Sequence, residues 1–450
     1  MCQFSIFATQ KIMTMKVLKF GGTSVGSPER MRNVSKLITD GDKKIVVLSA
    51  MSGTTNNLVE IADYYKKGNT DAASNLIGAL EKKYAGVIEG LLTTQTYRDK
   101  ASSIIACECN VIRSYANKPF SIQVEKIILA RGEIMSTNLV QLYHEENKIQ
   151  STLLDSLEFM YVDADGEPVM PKIEEKLAKV LKQYPEEKLF ITQGFICRND
   201  KDEVDNLKRG GSDYSASLIG AAINADVVEI WTDIDGIHNN DPRIVKNTHP
   251  IAEMSFDEAA ELAYFGAKIL HPSTVLPAKV KNIPVLLKNT MEPNAKGTVI
   301  SNKATNTGIK AIAAKDGLTA IKIKSGRMLL AYGFLRRVFE IFEKYKTPID
   351  LITTSEVAVS LTIDKTDYLA QIVDELKALG TVEIDKDQTI ICIVGNMIAE
   401  EQGHAVEVLK ALKEISVRMI CYGGSDHNIS VLIDTKNKEK ALIALNNNLF

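Results

Sequence analysis

Short apolar runs alternate with helical stretches along the first 300 residues of the chain. Each run is typical of a buried strand, and a turn of small or polar residues follows it. Residues 58–148 between them are predicted to be mainly helical. This alternation predicts an α/β fold with a doubly wound, mostly parallel sheet sandwiched by helices over residues 15–305. The apolar runs are Val17–Leu18, Lys44–Leu48, Lys188–Ile196, Ala225–Trp231 and Ile283–Asn289.

A different pattern follows a polar linker near residue 305. Gly333 and Gly403 each precede a helical stretch and are 70 residues apart, and Val359–Asp364 and Ile429–Asp434 repeat at the same offset. We therefore predict two tandem α+β modules, each with the order strand, helix, strand, strand, helix. The pattern leaves open whether they exchange a strand. The two modules cover residues 315–386 and 387–450.

Composition narrows the class of protein. The chain has 450 residues, of which 45% are hydrophobic and 25% charged, as expected for a globular protein of two or three domains. A net charge of −3 offers no basic field for nucleic acid, and no apolar run approaches the ~20 residues that span a membrane. The six cysteines form no C-x-x-C pair and indicate reduced thiols in a cytoplasmic protein, and the scattered histidines predict no metal site. Met1–Thr14 lacks a signal-peptide pattern, and we expect translation to start at Met13 or Met15.

The first candidate site lies where the first strand ends. Lys19 is followed by Gly21 and Gly22, and Pro28 is a favourable first residue of a helix. Paired glycines allow a sharp turn and close approach to a ligand, and the lysine supplies a positive charge, so the turn can hold a phosphate. It is not a Walker motif, because the lysine precedes the glycines. An ordinary turn with a solvated lysine is the alternative.

Two further stretches can contribute polar groups. Ser49–Asn57 is a small, hydroxyl-rich turn after the second strand, although it can equally be a loop with a helix cap at Asn56 or Asn57. Arg131–Thr137 is predicted to open a helix. Glu133 can then receive an ammonium group, or it can complement the helix dipole.

A fourth stretch combines a basic residue, two glycines and an acidic residue within a few positions. Arg209, Gly210, Gly211, Ser212 and Asp213 precede a predicted helix of small residues, Ser215–Asn224. The free amides at the start of such a helix can approach an anion. We regard this as the second strong indication of a phosphate or carboxylate site.

Together these motifs resemble the aspartokinases of the amino acid kinase family. The motifs occur in the order found in that family, and the tandem repeat resembles its paired ACT domains. Ile349–Glu356 resembles the lysine-sensitive branch. The motifs are K-F-G-G-T-S-V at Lys19, the serine-rich turn at Ser49, R-G-E at Arg131, R-G-G-S-D-Y at Arg209, W-T-D at Trp231, D-P-R at Asp241 and F-G-A-K-x-L-H-P at Phe265.

The resemblance implies a reaction and its partners. The enzyme would transfer the γ-phosphoryl group of ATP, with Mg²⁺, to the side-chain carboxylate of L-aspartate, in the first step of lysine, threonine, methionine and diaminopimelate synthesis. Lysine would be the feedback inhibitor, and the ACT modules would form a homodimer or a tetramer. Two alternatives stay open: a related kinase acting on glutamate, acetylglutamate, carbamate or UMP, and an amino acid sensor without activity.

The resemblance also assigns roles to residues. The catalytic residues would be Lys19, Gly21, Gly22 and Asp213. Aspartate would be bound by Thr55, Glu133, Arg209, Gly210, Gly211 and Ser212. The nucleotide would contact Lys19, Phe20, Gly21, Gly22, Thr232, Asp233, His238, Arg243, Lys268 and Ile269. The effector would be held by Met328, Ala331, Gly333, Phe334, Leu335, Ile349, Asp350, Ser355 and Glu356.

The chain departs from the family pattern at three places. Val204–Lys208 replaces a threonine run before the R-G-G-S-D motif, which changes the rim of the predicted aspartate pocket. His238 stands where many members have tyrosine, and Ala331 stands where serine is common. None of these departures removes a group that the chemistry needs.

Overall fold

The computed structural model describes residues 15–207, 210–266, 270–303, 307–326, 332–396, 398 and 400–450. Contacts divide the chain into two compact units, one formed by residues up to 236 with 273–302, the other by 237–272 with 303–450. This division differs from the predicted boundary at residue 305. The segment 237–272 belongs with the C-terminal repeats because its backbone bonds to them, as where the Ile312 amide donates to the Asn239 carbonyl at 2.8 Å.

The first unit has the predicted succession of strands and helices. Its strands are β1 (Lys16–Phe20), β2 (Lys44–Leu48), β3 (Thr152–Leu154), β4 (Leu189–Gln193), β5 (Ile196–Arg198), β6 (Val204–Asn206), β7 (Val228–Thr232), β9 (Val285–Asn289) and β10 (Thr298–Ser301). Its helices are α1 (Pro28–Ile38), α2 (Thr54–Lys66), α3 (Thr70–Leu91), α4 (Gln95–Arg113), α5 (Ile122–Glu146), α6 (Met170–Leu181), α7 (Gly211–Ile223) and α9 (Pro272–Val280).

The main sheet of this unit confirms the doubly wound α/β prediction. Its strands are ordered β3-β4-β2-β1-β7-β9-β10, and every pairing from β3 to β9 is parallel. Strand β1 is central, with Lys19 opposite Val47 on one side and Ile230 on the other. Leu18 and Phe20 join the core formed with helices α1 to α5, so alternate β1 side chains, including Lys19, project to the opposite face.

Three helix starts differ from the prediction. The R-G-E motif does not open a helix: α5 begins after Ser121, whose hydroxyl accepts the Val124 amide, so Glu133 lies mid-helix. Helix α2 begins at Thr54, so neither Asn56 nor Asn57 is its cap. Helix α7 begins at Gly211, four residues before the predicted start. Complementation of a helix dipole therefore cannot explain Glu133.

The second unit contains the two repeats. Its strands are β8 (Glu253–Ser255), β11 (Gly308–Lys324), β12 (Ile352–Thr354), β13 (Ala358–Ile363), β14 (Thr381–Asn396), β15 (Val417–Tyr422) and β16 (Asn428–Asp434). Its helices are α8 (Phe256–Tyr264), α10 (Phe334–Lys344), α11 (Leu369–Lys377), α12 (His404–Ala411) and α13 (Lys438–Leu449).

Each repeat has the predicted order of elements, and α10 and α12 start directly after Gly333 and Gly403. One antiparallel sheet runs through both repeats in the order β12-β13-β11-β14-β16-β15. The start of the long strand β11 lies in the core of the second repeat through Ile312, whereas Ile321 near its end lies in the core of the first. Strand β11 therefore contributes side chains to the cores of both repeats, so the two repeats share this strand.

No helix in the described ranges has the length and apolar character needed to cross a bilayer.

Candidate active site

Lys19 ends the central strand β1 and pairs with an aspartate from a distant part of the chain. Its Nζ lies 2.7 Å from Oδ1 of Asp213, and both side chains are largely buried, at 11% and 17% exposure. Asp213 reaches Lys19 because α7 begins at Gly211 and carries the aspartate in its first turn. The pair fixes one buried ammonium group at the carboxyl end of the sheet, where ligands collect in open α/β folds.

The glycine turn after Lys19 is pressed against the turn that follows β2. A Cβ added to Gly22 would lie 2.7 Å from the Ala50 carbonyl oxygen, and the Ser52 amide donates to the Gly22 carbonyl at 3.1 Å. The Gly21 amide already donates to the Trp231 carbonyl at 3.2 Å. The Gly21 amide is therefore already engaged within the sheet, and a phosphoryl oxygen would compete with this bond.

Two contacts that the sequence patterns did not predict hold this turn in place. The Ser24 and Thr290 hydroxyls are 2.7 Å apart, and Arg30 Nη1 donates to the Thr23 carbonyl at 2.8 Å. Thr290 follows Ser24 by 266 residues. No local pattern can connect residues that far apart. Arg30 follows Thr23 by only seven residues, so a local pattern could have suggested its contact with the turn.

Replacing Gly22 by alanine should lower kcat roughly 100-fold, because a Cβ cannot fit 2.7 Å from the Ala50 oxygen and the turn must move. Steady-state rates and circular dichroism would measure the change in activity and fold. The control is Gly78→Ala on α3, where an added Cβ meets nothing within 4 Å, so stability should rise slightly. Full activity of Gly22→Ala would contradict a close-packed phosphate turn.

Glu133 is a buried carboxylate with one oxygen unsatisfied. Its residue exposure is 4%, and Oε1 accepts the Ala50 amide at 3.1 Å. Among the described residues, Oε2 has no hydrogen-bond partner. Burial raises the pKa of Glu133 to about 7, although the Ala50 amide and the Lys19 charge oppose the shift. The site thus has an acceptor that lacks a donor, which is the complement of a ligand ammonium.

Helix α5 is held closely against the turn after β2. A Cβ on Gly132 would lie 2.8 Å from the Ala50 Cβ, and the Ser136 hydroxyl donates to the Ser49 carbonyl at 2.8 Å. The R-G-E glycine is therefore needed for close approach. This packing brings Glu133 to the turns that also surround Lys19.

The remaining residues assigned to aspartate have different surroundings. Thr55 is exposed on α2, and its neighbour Thr54 is buried with its hydroxyl 3.3 Å from the Tyr84 hydroxyl. A Cβ on Gly211 would lie 2.4 Å from the Phe195 ring, so the start of α7 is packed tightly on the turn after β4. Gly210 has a left-handed backbone and Ser212 lies in the first turn of α7. Arg209 lies outside the described residues.

The residues assigned to the nucleotide fall in both units. In the first, the Thr232 hydroxyl accepts the Ile234 amide at 3.1 Å, and Asp233 is exposed. In the second, His238 Nδ1 lies 2.9 Å from the Thr248 hydroxyl, and Arg243 pairs with Asp241 at 2.7 Å and is largely exposed. Lys268 and Ile269 lie outside the described residues.

The residues assigned to the effector lie in the first repeat. Gly333 has a left-handed backbone and precedes α10, which begins with Phe334 and Leu335. The Asp350 side chain is only 2% exposed and pairs with Lys315 at 2.6 Å. Ile349 is part of the core of this repeat. Ser355 and Glu356 are exposed, and Met328 and Ala331 lie outside the described ranges.

Comparison with known proteins identifies the family to which this chain belongs. Residues 14–289 match the amino acid kinase family, and residues 391–449 match the ACT domain. The chain is similar to lysine-sensitive aspartokinase 3 of Escherichia coli (strain K12), with 35% identity over 447 residues, which cover 96% of this chain and 99% of the relative.

Two crystal structures agree with this match. E. coli aspartokinase III in complex with aspartate and ADP, in the R-state, has a TM-score of 0.81 at 35% identity, covering 97% of this chain and 100% of that one. The same enzyme in complex with lysine and aspartate, in the T-state, has a TM-score of 0.79 at 35% identity, covering 97% and 99%. The chain therefore belongs to the amino acid kinase family and, within it, to the aspartokinases.

Proposed function

We propose that this chain catalyses transfer of the γ-phosphoryl group of ATP to the side-chain carboxylate of L-aspartate, giving 4-phospho-L-aspartate and ADP, and that lysine inhibits it. The observation that carries the proposal is that the chain has a buried ammonium, Lys19, held by Asp213, and a buried carboxylate, Glu133, whose Oε2 has no donor among the described residues. The first group suits a phosphoryl oxygen and the second suits an α-ammonium.

The reaction needs positioning and charge neutralisation more than proton transfer. A carboxylate nucleophile is ionised near neutral pH, so no general base is required. Lys19 would neutralise the charge that develops on the transferring group, and the Gly22 amide would hold one of its oxygens. Asp213 would keep the Lys19 ammonium in place, because their 2.7 Å contact restricts the lysine chain.

Recognition of aspartate would use both of its charged main-chain groups. Glu133 Oε2 would accept the α-ammonium, and Arg209 would bind the α-carboxylate, since a guanidinium can donate two parallel hydrogen bonds to it. The exposed Thr55 would line the entrance. The Gly210–Ser212 turn would lie against the rest of the acceptor.

Mg²⁺ would accompany ATP on the phosphate oxygens. The turn around Lys19 offers amides and hydroxyls, which fit phosphate oxygens, and the neighbouring Asp213 carboxylate is already paired with the Lys19 ammonium. Within the described part of the chain, no three His, Cys, Asp or Glu side chains cluster to hold an ion. Mg²⁺ commonly keeps several waters and few protein ligands, so its binding to this chain through the nucleotide is consistent with the residues present.

A coupled ADP-release assay tests the function directly. We expect turnover with L-aspartate and none above background with glutamate, acetylglutamate or carbamate. Product identity would be checked by trapping the acyl phosphate with hydroxylamine. Turnover with another acceptor and none with aspartate would contradict the proposal.

Lysine is the proposed effector because only one repeat has the required charge. Strand pairing aligns Ile352, opposite Leu361, with Ile420, opposite Val431, so Asp350 in the first repeat aligns with Val417–Arg418 in the second. Neither a valine nor an arginine can pair with an ε-ammonium. The amides that begin α10 can hold the α-carboxylate of the effector, and Asp350 supplies the charge that threonine would not use.

Asp350→Asn should abolish the response to lysine, since it removes that charge. The readout is the ratio of initial rates with and without lysine, with threonine tested in parallel. Coupling between such sites is typically ~1–3 kcal/mol, so inhibition of the wild type should be clear. Asp374→Asn, an exposed aspartate on α11, is the control. If lysine does not change the initial rate of the wild-type enzyme, or if only threonine does, lysine is not the effector.

We also propose a homodimer formed through the ACT modules and a cytoplasmic location. The described cysteines are all free thiols, which is consistent with a reducing compartment. Light scattering at several protein concentrations would measure the oligomeric state.

A further inference from the structure

One face of helix α8 is tied to the sheet of the repeats by three polar contacts. Residues three apart on a helix lie on the same side, and here each of three such residues bonds a residue of that sheet or its adjoining loops. The pairs are Glu258 with Lys310 at 2.9 Å, Glu261 with Asn428 at 2.6 Å, and Tyr264 with Asp350 at 3.1 Å.

The third contact differs from the other two because Asp350 is the proposed effector-binding acid. Its Oδ1 accepts bonds from both Lys315 Nζ, at 2.6 Å, and the Tyr264 hydroxyl. Lys315 is shared, since its Nζ also lies 3.1 Å from Asp364. Oδ2 of Asp350 is buried and has no hydrogen-bond partner among the described residues. One carboxylate thus has two internal donors on one oxygen and none on the other.

The end of α8 also rests directly on the strand that carries Lys315. The Phe265 ring packs edge-on against Tyr264, with centroids 5.0 Å apart. Gly266 follows with a φ of +122°, and a Cβ there would lie 2.3 Å from the Ala314 carbonyl oxygen. The turn therefore has no room to shift along β11 without changing its contact beside Lys315.

We propose that Tyr264 couples effector binding at Asp350 to helix α8, and through it to the Phe265-Gly266 turn that follows. This inference rests on the proposed lysine site. An arriving ammonium competes with Lys315 and Tyr264 for Asp350. Lys315 keeps Asp364 as an acceptor, whereas the Tyr264 hydroxyl loses its bond to Asp350. Of the three polar contacts on this face of α8, only those of Glu258 and Glu261 then remain.

The consequence for catalysis follows from the order of the chain. Tyr264 directly precedes Phe265-Gly266, and the same stretch contains Lys268, which is assigned to the nucleotide. Loosening the end of α8 would alter the position of the Phe265-Gly266 turn. Lysine would therefore act on nucleotide use, and Tyr264 would be a positioning residue with no contact to substrate.

Tyr264→Phe is the decisive variant, because it removes the hydroxyl and keeps the ring that packs on Phe265. We expect lysine still to bind, as measured by isothermal titration, while the variant has a lower basal rate and lysine lowers that rate little further. Tyr368→Phe is the matched control, since its ring lies against Tyr345 in the same repeat in a tilted arrangement and is outside this contact.

Hydrogen exchange on the wild-type protein gives an independent readout that does not need a variant. Lysine should accelerate exchange of the amides in residues 256–264, and Tyr264→Phe should show that faster exchange without lysine. Unchanged inhibition in Tyr264→Phe, loss of lysine binding in it, or no effect of lysine on α8 exchange would each overturn the coupling role. If the wild type binds lysine and is inhibited in those cases, the proposed effector stands and only the route through Tyr264 fails.

Discussion

Lys19→Ala should lower kcat by roughly 100- to 1,000-fold, the usual effect of removing one donor from a developing negative charge. The KM for aspartate should change far less, because Lys19 is proposed to act on the transferring phosphoryl group. Initial rates at saturating ATP, with aspartate varied, would separate the two parameters. Lys19→Arg should recover part of the loss, since it keeps the charge but changes the geometry.

Two controls separate catalysis from folding. Lys16→Ala removes a lysine from the same strand, where it pairs with Asp42 at 2.8 Å and is 39% exposed, so kcat should be unaffected. Thermal unfolding of Lys19→Ala would reveal any cost of leaving Asp213 buried without its cation. A Lys19→Ala enzyme that keeps more than half of the wild-type kcat would exclude Lys19 from the chemistry.

The sequence predicted those parts of the site that depend on local patterns. A strand, a lysine and two glycines define the Lys19 turn without any long-range information, and the 70-residue offset locates Gly333 and Gly403 at the starts of two helices. Distant residues were linked only by the family resemblance, which assigned both Lys19 and Asp213 to catalysis. The pairing of Ser24 with Thr290 has no counterpart in any local pattern.

Glu133 and Asp350 show the limit of a local reading most clearly. The R-G-E motif by itself did not reveal its place in the middle of α5, although the predicted helical region continues on both sides of it. The family resemblance implied that Asp350 binds the effector, but Lys315 from β11 already pairs with it in the structure. Burial and partners are properties of the packed structure, and they decide what each carboxylate can bind.

Glu133→Gln should weaken aspartate binding strongly and leave ATP binding nearly unchanged. Removing one partner of a desolvated charge pair commonly costs ~2–5 kcal/mol, which corresponds to roughly 30- to 5,000-fold in affinity. Glutamine retains the size of the side chain, so α5 should keep its packing on Ala50. Isothermal titration of each ligand separately measures both affinities.

The raised pKa of Glu133 adds a pH dependence to the predicted binding of aspartate. Burial raises it from the ordinary value of 4.5 to about 7 in the ligand-free protein. Since the folded pKa is raised, its contribution to stability is present below about pH 4.5 and lost as the pH rises through 7. An aspartate ammonium reverses this, because it pairs with the ionised form only.

Aspartate affinity should therefore increase as the pH rises towards 7 and level off above it, when measured without nucleotide so that phosphate ionisation does not interfere. Glu133→Gln should abolish that dependence. Glu108→Gln is the matched control: its carboxylate already has a cation, Arg131 at 3.0 Å, so the pH profile should remain that of the wild type. Equal loss of ATP and aspartate binding in Glu133→Gln, or a pH profile that survives the substitution, would mean that the orphan oxygen of Glu133 is not the acceptor for the substrate ammonium.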